Sequence, residues 1–154
     1  MTRTRGAANQ SLYFARIVLA AWDAERERQR FPEAQITAAF LPAVQRHLRD
    51  AYGWFLLSVG GVDDARAGPL PQSTRDLTAP EPGRECPPEL REFALLEREG
   101  WLADLISGRL TQAPAPREGL LGSDRAAPGY AVAARWAEEL AATMRRMDDF
   151  LAES

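Results

Sequence analysis

Five side chains in this sequence could do chemistry as a group: Tyr13, Arg16, His47, Asp50 and Tyr52. His47 is the sole histidine, and an imidazole is the side chain whose ordinary titration lies near neutral pH. Arg16 sits inside the apolar run from Leu12 to Trp22, where a permanent charge needs water or an acceptor. A guanidinium that holds an anion beside a titrating imidazole would make a small anionic-ligand or acid–base site. The competing reading is structural. Arg16 pairs with Asp50 to fix helix register, or reaches water along its own stem, beside a satisfied histidine.

The usual supports of catalysis are missing from the sequence. It has no nucleophile elbow, no Gly-rich phosphate loop and no second histidine. No Glu-x-x-His spacing occurs, which excludes a di-iron bundle site. Ser11 and Ser58 have no base pattern around them, and Cys86 has only Arg84 nearby to lower its pKa. No metal or cofactor is expected.

These side chains must be positioned by helices. The spacing predicts a first helix from about 9 to 30, capped by Asn9. Its apolar face is Leu12, Ala15, Leu19 and Trp22, widened by Phe14, Ile17, Val18 and Ala21; Arg16, Asp23, Glu27 and Arg30 form a narrow polar stripe. A helix apolar over most of its circumference is expected against several neighbours. Phe31-Pro32 ends it, and a second helix is expected over 33–59, with Ile36, Phe40, Val44, Leu48, Tyr52, Phe55, Leu56 and Val59 inward. Pro42 should kink it, and Gly60-Gly61 stop it.

Residues 62–88 read as a long loop with a short helix near Ser73–Leu77. A helical region over 88–110 should break near Gly100. A second Pro/Gly linker leads to a last helix over 130–152, with Ala133, Ala137, Leu140, Met144, Met147 and Leu151 on one face. With no strand pattern, the chain is expected to be a single all-α domain, 1–154. It is read as a four-to-five-helix bundle with an N-terminal antiparallel helical hairpin and two long Pro/Gly-rich linkers. If the hairpin turns at Phe31-Pro32, facing positions sum to about 63, because both helices rise alike. Arg16 then stands level with His47, and Tyr13 near Asp50.

Composition narrows the function. Every one of the 19 basic residues is arginine, yet the net charge is −3. An acidic balance argues against nucleic acid and anionic membranes as partners, since both demand a positive field. The charge in the first apolar run also argues against a signal peptide or an anchor, and the run is too short to span a bilayer. A lone cysteine fits a reducing cytoplasm. The alternating "ERERQR" reads as a solvated helix end. Four tryptophans, Trp22, Trp54, Trp101 and Trp136, read as core ballast.

Three stretches, "ANQSLYFARIVLAAW", "HLRDAYGWFLL" and "PPELREFALLEREGWLADLI", carry a resemblance. They look like a family of small helical proteins from pseudomonads and related bacteria, a domain of unknown function. The matching positions include Asn9, Gln10, Tyr13 and Arg16, then His47, Leu48 and Tyr52, then Pro88, Glu89 and Trp101. The resemblance implies an intracellular bacterial protein without an assigned activity and brings no catalytic residues. A weaker one is to the helical HEPN superfamily, whose nucleases carry Arg four to six residues before His. Here Arg46 is directly adjacent to His47 and no arginine stands at the required distance, a departure that argues against RNase activity.

The expectation is therefore a non-enzymatic cytoplasmic bundle that acts through a protein partner or as a homo-oligomer. The alternative is a small anionic-ligand or nucleic-acid-processing module around Arg16 and His47.

Overall fold

The structure is a computed structural model that describes residues 3–61, 69–77, 87–107 and 129–153. Within them lie five α-helices and no strand: α1 (Arg3–Arg28), α2 (Glu33–Val59), α3 (Pro88–Glu99), α4 (Trp101–Ile106) and α5 (Tyr130–Glu153). A short 3-10 helix, Thr74–Asp76, precedes α3. The all-α expectation and the hairpin both hold. Most of the two long linkers, with Cys86, falls outside the described residues.

Local chemistry accounts for the boundaries. Pro32 opens α2 and Pro88 stands in the first turn of α3, where a missing N–H costs nothing. α2 runs through Pro42 without ending. At its far end Gly61 takes φ +80°, a left-handed conformation that suits glycine, and its N–H donates to the Ser58 carbonyl at 3.1 Å. Gly100 separates α3 from α4, as its helix-breaking character suggests. Ser73 accepts from the Arg75 N–H and caps the 3-10 turn.

One boundary differs from expectation. α1 begins at Arg3 rather than at Asn9, so Asn9 is an interior residue and not a cap. Its side-chain oxygen accepts from Arg5 Nη1 at 2.6 Å, one helical turn away. The extra turn is held by packing, because Thr4 and Ala8 are fully buried.

α1 packs most extensively on α2, and α5 lies against both. Leu12, Ala15, Leu19 and Trp22 from α1 meet Val44, Leu48, Ala51 and Phe55 from α2, and Trp136, Leu140 and Met144 from α5. Each fully buried Leu or Phe contributes about 1.5–3 kcal/mol. Two aromatic clusters fix the ends. Trp22 stacks on Phe40 at 6.2 Å and meets Tyr130 edge-on at 5.6 Å. Phe93 of α3 meets Tyr52 at 5.1 Å and Phe55 at 5.8 Å, also edge-on. Trp22 and Trp136 are core residues; Trp54 and Trp101 pack half-buried against the same core. No helix among the described residues is long and apolar enough to cross a membrane.

Candidate functional site

The hairpin register is close to the expected one. Phe14 packs edge-on against His47 at 5.6 Å, and Trp22 lies over Phe40. These pairs total 61 and 62 rather than 63, which sets Arg16 level with Gln45 and Arg46, and His47 level with Phe14 and Ala15, as the geometry of two antiparallel helices requires.

Level is not contact, however. Arg16 is exposed and makes no hydrogen bond or ion pair among the described residues. It needs no acceptor, because the polar stripe of α1 faces water. Asp50 is half-buried but does not pair with it, and Tyr13 is exposed. Tyr52 belongs elsewhere altogether. Five residues along a helix turn it about 140° from His47, and its hydroxyl donates to Glu97 Oε1 of α3 at 2.5 Å. The five side chains read together from sequence therefore do not form one site.

Tyr52 instead anchors a clamp. Glu97 accepts three times: from the Tyr52 hydroxyl, from the Thr74 N–H at 2.8 Å and from the Thr74 hydroxyl at 2.9 Å. Burial first, and then the hydrogen bond and negative charge of Glu97, hold the Tyr52 phenol well above its ordinary pKa. The clamp ties the 69–77 segment to the bundle. That segment lies directly on α2 at Gly53, where an added Cβ would stand 2.7 Å from the Pro71 carbonyl oxygen. An alanine there would push the segment off the helix.

Between the segment and α2 runs a cleft of about 480 Å³. Pro42, Arg46, Arg49 and Asp50 form one wall and residues 69–72 the other. A wider cleft of about 750 Å³ lies between α3 and α5, where Glu92 and Arg146 neutralise each other in a two-pronged ion pair.

Among the described residues, the arginine that does lose its water is Arg5. Its Nε donates to Asp148 Oδ2 at 2.9 Å and Oδ1 at 3.1 Å, and its Nη2 also meets Asp148 Oδ2. The guanidinium carbon lies 5.0 Å from the centre of the Phe55 ring. Sequence reasoning missed this cluster by reading "MTRTR" as a start outside the helix. The signal available was the four-residue spacing of Arg5 and Asn9, which sets them one turn apart on a helix. The "ERERQR" end is a solvated lattice as expected, with Arg26 on Asp23 and Glu33, and Arg28 and Arg30 on Glu25.

A third feature is apolar. On the outer face of α1, Tyr13 is 62%, Phe14 40% and Ile17 50% exposed, and Ala20, Ala21 and Ala24 continue the stripe in the open. Among the described residues, the expectation that α1 is surrounded by neighbours is not met on this side: α2 and α5 cover the Leu12–Trp22 face, and α2 reaches Phe14 through His47.

Chemically, the described residues assemble no nucleophile with a base. No group of three or more His, Cys, Asp or Glu among them could hold a metal ion. His47 is half-buried against Phe14, with no carboxylate bonded to it among the described residues. Comparison of the chain with protein-family models, with curated proteins and with solved structures found no match.

Proposed function

We propose that this chain is a non-enzymatic, cytosolic helical-bundle protein that acts by associating with a second copy of itself through the outer face of α1. The observation that carries the reading is the open stripe of Tyr13, Phe14, Ile17, Ala20, Ala21 and Ala24. Scattered apolar residues on a surface need no explanation; a continuous stripe along one helix does.

The stripe is self-complementary in one orientation. Its bulky residues lie N-terminal to Ile17 and its alanines C-terminal. Two such helices crossing antiparallel about Ile17 would set each Tyr13 against Ala20 and Ala24 of the other copy, and each Phe14 against Ala21. A parallel crossing would set bulk against bulk. Isologous two-fold pairing is also the commonest form of soluble oligomer. The single cysteine supports a reducing compartment, since it can form no internal disulfide.

Sedimentation equilibrium tests the reading. The chain is expected to approach twice its 17.1 kDa mass as concentration rises, and Ile17→Asp is expected to remain a monomer. In a Cys86→Ser background, Ile17→Cys should cross-link to itself on oxidation, because a crossing about Ile17 brings the two copies of that residue together, whereas Tyr13→Cys should not, because the antiparallel register sets the two copies of that residue apart. A wild-type chain that stays monomeric at every concentration refutes the proposal.

A further inference from the structure

The arginines of the described residues divide into two kinds. Arg5, Arg26, Arg28, Arg30 and Arg146 each hold a carboxylate. Arg46 and Arg49 do not: neither has an ion-pair partner among the described residues, although Asp50 is the next residue along. They stand three apart on α2, and so on one face of it with their Cβ atoms about 5–6 Å apart. Both line the same cleft.

The opposite wall is built rather than loose. Gly53 admits the Pro71 carbonyl to the surface of α2. The Gln72 N–H donates to Asp76 Oδ2 at 2.9 Å, and Thr74 is bonded twice to Glu97. The cleft therefore keeps its shape without an occupant. Its size, about 480 Å³, lies within the range of small-molecule pockets, roughly 300–1,000 Å³.

The lining specifies a chemistry. Two guanidiniums supply two positive charges and forks of N–H donors, which match a phosphate monoester dianion better than a single carboxylate. Asp50 is acceptor-only when ionised, so it repels a bare anion and welcomes a hydroxyl carried beside it. Pro42, Pro69 and Pro71 lack N–H groups and offer rigid ring faces to C–H surface. We propose that this cleft binds the phosphate monoester of a sugar or similar polyol, with Arg46 and Arg49 on the phosphate and Asp50 accepting from a hydroxyl. The site is independent of the α1 face and of any self-association.

Titration calorimetry on the full chain decides it, with ribose 5-phosphate, ribose and inorganic phosphate as probes. Ribose 5-phosphate is expected to bind saturably, inorganic phosphate more weakly, and ribose not at all. Arg46→Gln/Arg49→Gln should weaken ribose 5-phosphate at least tenfold, and each single variant at least threefold, so the result stands even if the paired variant folds poorly. Arg98→Gln/Arg135→Gln, which removes as much exposed charge elsewhere, should change nothing. Asp50→Asn should tighten inorganic phosphate and narrow the preference for the sugar ester. Equal losses in the two paired-arginine variants would reduce the effect to net charge and overturn the site. So would unchanged binding in Arg46→Gln and Arg49→Gln, or no saturable binding by the wild type.

Discussion

Replacing Asp148 by alanine removes the partner of the least solvated guanidinium described in the bundle. The magnitude follows from the geometry. A fully buried pair broken on one side costs about 3–5 kcal/mol, and an exposed pair about 0–1 kcal/mol. The Arg5 side chain is 11% exposed and that of Asp148 42%, so the pair lies between these limits, at a coupling of about 2 kcal/mol. Arg5 also retains the Asn9 oxygen and the Phe55 ring when Asp148 is lost, which moderates the penalty. A double-mutant cycle isolates the pair term. Arg5→Met keeps most of the stem's packing, Asp148→Ala removes the carboxylate, and the two together should cost about 2 kcal/mol less than the sum of the singles. Urea denaturation followed by far-UV circular dichroism measures it, with midpoint shifts of roughly 1 M for each 2 kcal/mol at ordinary slopes. A coupling below about 0.5 kcal/mol would refute the reading that this pair joins α1 to α5.

Two further outcomes follow from buried polar groups. Gln45 is fully buried, and neither of its amide atoms has a hydrogen-bond partner among the described residues. Gln45→Met, close in shape, should raise stability by about 1–2 kcal/mol in the same urea assay; a loss would show that the amide is satisfied in solution. Tyr52→Phe should cost about 1–2 kcal/mol at neutral pH by removing a donor from Glu97. Because the folded phenol is held above its ordinary value near 10, its stabilisation is intact below that pH. It is lost above it, at up to about 1.4 kcal/mol per pH unit. The chain has no lysine and only three tyrosines, so Tyr52→Phe should visibly flatten the alkaline fall of stability between pH 10 and 12; an unchanged slope would refute the clamp.

The helices were legible because periodicity and punctuation agree. Pro32 and Gly60 bracket α2, Gly100 divides α3 from α4, and Ser73 marks the 3-10 turn. The candidate site was less legible. A 3.6-residue period tells which residues share a stripe, but not which stripe a neighbour covers. Leu12, Ala15, Leu19 and Trp22 were recognisable as core, whereas Tyr13, Phe14 and Ile17 are equally apolar and lie open. Register came within one or two residues, setting Arg16 opposite Gln45 and Arg46 rather than His47, yet register fixes height along the axis and leaves azimuth free. Tyr52 shows the same gap: its position on α2 was right, and its partner, Glu97, lies 45 residues on, across a loop whose path the sequence does not encode locally.

The Arg5–Asp148 bond also has a consequence in time. Its two residues are 143 positions apart, so it encloses nearly the whole chain, whereas α1 and α2 meet across a joint of four residues, 29–32. Loop-closure entropy favours the near contact first and the distant one last. The bond should therefore be absent from the rate-limiting barrier to folding. Weakening it would leave refolding in stopped-flow mixing nearly as fast as before and accelerate the escape from the native state. The pair acts as a latch on a structure already made, and sets how long the bundle lasts rather than how quickly it forms.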